Sequence, residues 1–159
     1  CIRDSPNIGY NLRLTEIQGA MGSVQLKKLE KFVNMRRKNA KALIKGLEKY
    51  NEIFSFQKET PNSKHSYFGF PIIVKSNKVN IKHLRDYLEK NRIETRPIIC
   101  GNMTKQPALK HYKFKKVGNL KHATNIMKNG FAIACHQSLN NNSLRYIFTK
   151  FNDYFKNSI

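Results

Sequence analysis

A small α/β layer structure, one mixed sheet with flanking helices, is the fold class this sequence predicts, and three observations predict it. Apolar residues recur at helical spacing in five stretches. Short runs rich in aromatic and β-branched residues lie between them. Near the middle, a strand, a helix and a second strand follow one another with short connections. At 159 residues with a 40% hydrophobic share, the chain has the size of one domain with a modest core.

Thr15 with Gln18 three residues later fits a capping box, and Ile17, Ala20, Met21 and Val24 follow at helical spacing, which predicts a helix starting near Glu16. Gly19 and Gly22 weaken that helix by about 1 kcal/mol each and allow another backbone to come close. A second amphipathic segment is predicted over residues 28–50. It turns Leu29, Phe32, Val33, Ala40, Leu43, Ile44 and Leu47 inward and Lys31, Arg36, Arg37, Lys38, Lys41 and Lys45 mostly outward, the cations forming a solvated face.

After Asn51 the period changes. "IFSF" (53–56) and "YFGFPIIVK" (67–75) read as two strands, a hairpin with a long polar loop. Asn80 caps a short helix carrying Ile81, Leu84 and Leu88 on one face, and "IETRPIIC" (93–100) reads as the strand after it. Gly101 and Pro107 bracket a loop. A weaker helix over 120–129 leads into the strand "FAIAC" (131–135), and a last helix from Asn142 carries Leu144, Ile147, Phe148, Phe151 and Phe155. Cys100 and Cys135 are expected on strands, as core thiols. There is no internal repeat and no low-complexity linker.

The bulk properties limit the function classes. No apolar run approaches the roughly 20 residues that cross a bilayer, and the first four residues do not form a signal peptide, so a cytoplasmic protein with no membrane partner is expected. Cys1, Cys100 and Cys135 contain no CxxC pair and the five histidines are scattered, so no metal site is expected from this chain. The net charge of +20, from 30 Lys and Arg against 10 Asp and Glu, invites a nucleic-acid reading. Lysine, asparagine and isoleucine supply 55 of the 159 residues, the bias that A/T-rich codons impose. No nucleic-acid-binding signature accompanies the charge, and a stand-alone basic binding module stays only as the third alternative. The missing initial methionine, with a motif starting a few residues in, leads us to expect part of a longer protein.

Polar groups gather ahead of the first helix. Asn11 offers two amide donors and Arg13 a bidentate fork, beside the free N–H groups of a helix start, which suits an anion such as phosphate. The alternative is structural, with Asn11 in a turn and Arg13 paired with Glu16. Arg96 stands on a strand, with Asn102, Lys105 and Gln106 in the loop that follows, where α/β proteins place ligand contacts. A surface ion pair for Arg96 and a solvated Lys105 are the plain alternatives. His136 follows an apolar strand, as an edge residue or a ligand contact, and the other four histidines read as surface residues.

Five ordered blocks carry a resemblance. "GYNLRLTEIQGAMGSVQLKKLEKF" with "RRKNA", the strand "YFGF", "IETRPIICGNMTKQPAL" and "GNLKHATNIMKNGFAIACHQ" cover nearly the whole chain. Together they resemble the C-terminal domain of the DegT-type nucleotide-sugar aminotransferases and dehydratases. "SYFGFPI", "RPIICGNMTKQP" and "NGFAIACHQ" are most similar to the 4-keto-6-deoxy-sugar 3-dehydratase branch. The resemblance implies the small C-terminal domain of the fold-type I pyridoxal-phosphate enzymes, with residues 1–159 as that domain and the cofactor domain upstream. It implies a homodimer, a nucleotide-diphosphate sugar substrate, and pyridoxamine 5'-phosphate or pyridoxal 5'-phosphate held mainly by the missing domain and the partner subunit.

In that family the amide corresponding to Asn11 reaches the neighbouring subunit's cofactor phosphate, and Arg13 fits the same basic edge. Arg96, Asn102, Lys105 and His136 become substrate-binding candidates. No catalytic residue falls in this stretch, because the cofactor-facing lysine (aminotransferases) or histidine (dehydratases) lies upstream, and the chain alone is expected to be inactive. Some members of the branch also hold an iron–sulfur cluster on upstream cysteines and draw electrons from a reductase; Cys1 matches no such spacing. A sugar aminotransferase is the alternative to the dehydratase.

Overall fold

The computed structural model describes residues 14–158, and Asn11 and Arg13 lie outside the described residues. The chain divides into two compact units, residues 1–32 and 33–159.

In the first unit the capping box forms as expected. The Thr15 amide donates to Gln18 Oε1 (2.9 Å) and the Gln18 amide donates back to Thr15 Oγ1 (3.4 Å), which starts helix α1 (Glu16–Leu47). The sequence predicted two helical segments, and the structure has one. Leu26, Lys27, Lys28, Leu29 and Glu30 are all good helix formers, so nothing ends the first segment before the second begins. Leu29, expected inward, is exposed, as are Ile17, Met21 and Val24. Within this unit a methyl group at Gly19 or Gly22 would meet nothing within 4 Å.

The second unit holds the rest of α1 and a four-stranded sheet. Its elements are β1 (Phe54–Phe56), β2 (Gly69–Val74), α2 (Ile81–Lys90), β3 (Thr95–Pro97), α3 (Lys121–Asn129), β4 (Gly130–Ala134) and α4 (Asn141–Ser158). The strand order is β1-β2-β4-β3. Every neighbouring pair is antiparallel, with Phe54 opposite Val74, Gly69 opposite Ala134 and Thr95 opposite Ile133. β2 and β3 are therefore parallel to each other, joined through α2, with β4 between them. This is the expected strand–helix–strand unit with a later strand inserted.

The alternation along β2 decides which side is core. Phe70, Ile72 and Val74 are buried and pack with Ala40, Leu43 and Leu47 of α1, Leu84 and Leu88 of α2, and Leu144, Ile147, Phe151, Tyr154 and Phe155 of α4. Asn80 caps α2 as the sequence predicts, and α4 has a cap that the sequence reading did not name. Asn80 Oδ1 accepts from the His83 amide (3.1 Å), and Asn140 Oδ1 accepts from the Ser143 amide (2.9 Å) one residue earlier than expected for α4. Gly46 is a packing requirement: a Cβ there would stand 2.3 Å from the Phe148 ring of α4.

Two local expectations are corrected. The strand predicted over 93–100 is only three residues long, because Pro97 has no N–H with which to extend a ladder and Ile99 enters the left-handed region at φ 33°. Cys100 consequently sits in the turn and is exposed, not in the core. Cys135 is a core thiol just beyond the end of β4. Burial pushes its pKa up to about 11, and its thiol donates to the Arg36 carbonyl (3.4 Å).

Candidate functional site

The face of the sheet away from the core carries the candidate site. Its outward positions on β2 and β4 are small: Gly69 lies opposite Ala134 and Pro71 opposite Ala132. Helix α3 covers part of this face, where Ile126 lines a small hollow together with Pro71, Ile73 and Ile98. Beside it a cleft of about 380 Å³ stays open, floored by the small residues and rimmed by His65, Phe68, Glu94, Arg96 and Ile99. Arg96 faces the cleft because it pairs in register with Ala132, whose side chain lines the same hollow.

The rim is polar on one side and aromatic on the other. Arg96 forms an ion pair with Glu94, and its side chain remains 76% exposed. Such a pair contributes little to stability and is readily exchanged for a ligand's anion. Phe68 is 90% exposed, a large aromatic presented to solvent at the mouth of the cleft. A guanidinium, a free aromatic face and a small-residue floor suit a ligand with an anionic group and a flat ring.

His136 lies beyond β4, at the end of the sheet that also holds Phe68. Its ring is exposed, and its Nδ1 accepts from the Ser138 amide (3.2 Å), which leaves Nε2 to carry the proton of the neutral ring. Asn102 and Lys105 belong to the loop after β3 and do not line the cleft. Asn102 is only 3% exposed. Its Nδ2 donates to Thr124 Oγ1 of α3 (2.9 Å), and its Oδ1 accepts from the amide (3.1 Å) and hydroxyl (2.7 Å) of Thr104. Its side chain fastens the loop to α3. Lys105 is exposed on that loop, and Gln106 donates to the Cys100 carbonyl (2.7 Å). Arg96 and His136 thus stand on the sheet and its end, and the other two candidates on a loop tied to α3.

Sequence reasoning missed two arginines, read as part of a solvated face. Arg36 is half-buried. Its Nη1 donates to the carbonyls of Tyr67 and Phe68 (both 3.0 Å) and its Nε to Gln137 Oε1 (3.1 Å). Arg37 holds Glu59 and donates to the His65 carbonyl (2.8 Å). The neighbouring Asn39 is buried and donates to the His136 carbonyl (2.8 Å). Their signal was the "RRKNA" block itself, but their partners are distant in sequence.

Glu59 links pH to this rim. The hydrogen bond from Arg37, and after it that from the His65 amide, lowers its pKa below the usual glutamate value. The stabilisation is fully present above the ordinary carboxylate pKa and is lost as pH falls through the lower folded value. In an NMR titration, the His65 amide shift is expected to move with a midpoint below that of a free glutamate. Glu59→Gln should abolish that movement, and a midpoint at or above the free value would show that the link does not form.

Comparisons with known proteins identify the family of the chain. The chain is 35% identical over 150 residues to the lipopolysaccharide biosynthesis protein RfbH of Salmonella typhimurium, covering 94% of this chain and 34% of that protein. It is 39% identical over 133 residues to the GDP-4-keto-6-deoxy-D-mannose 3-dehydratase of Escherichia coli O55:H7, covering 81% and 33%. The structure of an E. coli GDP-4-keto-6-deoxy-D-mannose-3-dehydratase with bound hydrated PLP superposes with a TM-score of 0.82 at 35% identity, covering 91% of this chain and 37% of that one. The chain therefore spans about a third of the length of the curated relatives it matches. Among the described residues no helix is long and apolar enough to cross a membrane. With residues 3–152 matching its pattern and the small-sheet fold shared with a solved member, the chain belongs to the DegT/DnrJ/EryC1/StrS aminotransferase family.

Proposed function

We propose that this chain is the C-terminal part of a pyridoxamine-phosphate-dependent 3-dehydratase, acting on a nucleotide-linked 4-keto-6-deoxyhexose in the synthesis of a 3,6-dideoxysugar for a surface polysaccharide. The observation that carries the reading is the likeness, over four-fifths of the chain, to a protein named as a 3-dehydratase. The cleft supplies the substrate side of the chemistry. In this reading Arg96 exchanges Glu94 for a phosphate of the nucleotide sugar, and Phe68 offers a face to a ring of the same ligand. Outside the cleft, His136 at the end of the sheet and Lys105 on the loop after β3 are further substrate contacts in this reading, and Asn102 holds the loop that carries Lys105.

This chain's contribution to the coenzyme rests on Asn11, reaching the partner subunit's coenzyme across a homodimer interface, with Arg13 beside it. When bound, pyridoxamine phosphate supplies the amine and the electron sink for loss of the C3 hydroxyl. The chain's own residues bind and orient the sugar. The catalytic base and the rest of the coenzyme site belong to an upstream domain, so the chain alone is inactive. A reductase is required only if upstream cysteines hold an iron–sulfur cluster. The same reading takes the reaction to be cytoplasmic.

The test is product analysis by mass spectrometry, with the complete protein, stoichiometric pyridoxamine phosphate, a chemical reductant able to reduce an iron–sulfur cluster, and GDP- or CDP-linked 4-keto-6-deoxyhexose. Loss of one sugar oxygen, at C3, is expected, the two electrons coming from pyridoxamine phosphate, which would be released as pyridoxal phosphate and ammonia, or from the added reductant. Replacement of the ketone by an amine would make the protein an aminotransferase instead, and no change in any nucleotide sugar would overturn both.

A further inference from the structure

Tyr67 and Ile99 carry backbone conformations that bulky and β-branched side chains rarely adopt, with φ 52° and 33°. The residue after Tyr67 is Phe68 of the cleft rim, and Ile99 is itself on that rim. Strain of this kind persists only where surrounding contacts hold it. At Tyr67 the holding contacts are visible, since the Arg36 guanidinium donates to the carbonyls of Tyr67 and Phe68, which belong to the two peptide groups on either side of Phe68.

The same guanidinium reaches Gln137, and Asn39, one turn further along α1, takes the carbonyl of His136. Cys135 ties the end of β4 back to the Arg36 carbonyl. These two chain segments, the entry to β2 and the exit from β4, lie side by side because Gly69 pairs with Ala134. One side chain therefore sets the position of the aromatic rim and of the turn that bears His136.

We infer that Arg36 is a positioning residue of the nucleotide-sugar site: its planar fork holds the strained Tyr67–Phe68 turn and the His136–Gln137 turn in the geometry that receives the substrate. This inference rests on the cleft being that substrate site. Lysine cannot take its place, because a single ammonium on a flexible stem cannot serve three acceptors in a fixed plane. Arg36 touches neither the floor of the cleft nor Arg96, so its effect runs through Phe68 and His136.

The experiment uses the complete protein. In Arg36→Lys, KM for the nucleotide sugar is expected to rise roughly tenfold, with kcat within about twofold and the coenzyme titration unchanged, the signature of lost substrate binding. Gln137→Ala, which removes only the Nε contact, is expected to raise KM by a smaller factor. A folded Arg36→Lys protein with wild-type KM would overturn the inference, as would a fall in kcat and coenzyme retention at unchanged KM. If Arg36→Lys does not fold, Gln137→Ala and Phe68→Ala decide: a raised KM in both supports it and an unchanged KM in both overturns it. If the wild-type protein turns over no nucleotide sugar, the functional reading fails. Calorimetry with GDP then decides the positioning role, weaker binding to Arg36→Lys supporting it and equal binding overturning it.

Discussion

Replacing Phe54 by alanine is expected to lower the stability of the protein by about 3–5 kcal/mol in urea unfolding, a large share of the roughly 5–15 kcal/mol of a typical domain. Phe54 is fully buried on the edge strand β1, and its ring is the meeting point of three elements. Phe151 of α4 stands edge-on at 5.8 Å, Phe155 at 5.7 Å, and Tyr50, from the turn that ends α1, at 6.1 Å. Tyr50 is itself anchored, its hydroxyl donating to Asn152 Oδ1 of α4 (2.8 Å). Alanine would leave a cavity that β1 cannot close, because the strand is held in register with Ile72, Ile73 and Val74. Phe54→Leu keeps most of the volume and should cost about 1–2 kcal/mol. A loss below about 2 kcal/mol in the alanine variant would show that the cluster can collapse around the gap.

Arg96→Ala, in the complete protein, is expected to raise KM for the nucleotide sugar by roughly 10- to 100-fold while leaving coenzyme binding and thermal stability near wild type. A hydrogen-bonded charge on a phosphate contributes more than a neutral contact. The pair that Arg96 makes with Glu94 is too exposed to hold the fold together. Glu94→Gln is a useful companion, since it releases the guanidinium and should leave KM equal or lower. If Arg96→Ala leaves KM unchanged, the guanidinium serves only Glu94 and the cleft needs another anion contact.

Most elements of the second unit were legible because their signals are local. The aromatic and β-branched run over 67–75, the Asn80 cap and the spacing of Leu144, Ile147, Phe151 and Phe155 each lie within one element. Arg96 was a candidate because it stands at a strand end before a loop, where α/β proteins place ligand contacts. What escaped depended on partners far along the chain. Arg36 looks like any surface cation beside Arg37 and Lys38, and only the fold brings it to Tyr67, Phe68 and Gln137. Asn102 reads as a ligand contact from its loop, but its donor partner Thr124 is on α3. Cys100 follows a run of apolar residues that resembles a longer strand, and the turn at Ile99 carries it into solvent. The merging of two expected segments into α1 shows the converse: glycines weaken a helix without ending it when strong helix formers follow.

The central place of β4 also sets the order in which this region can be completed during synthesis. The strands on either side of it emerge from the ribosome first, and each presents an open inner edge until Gly130–Ala134 arrives to zip between them. A nascent polypeptide paused between α2 and α3 carries two sticky templates for another chain's backbone, so chaperone protection matters most in that interval.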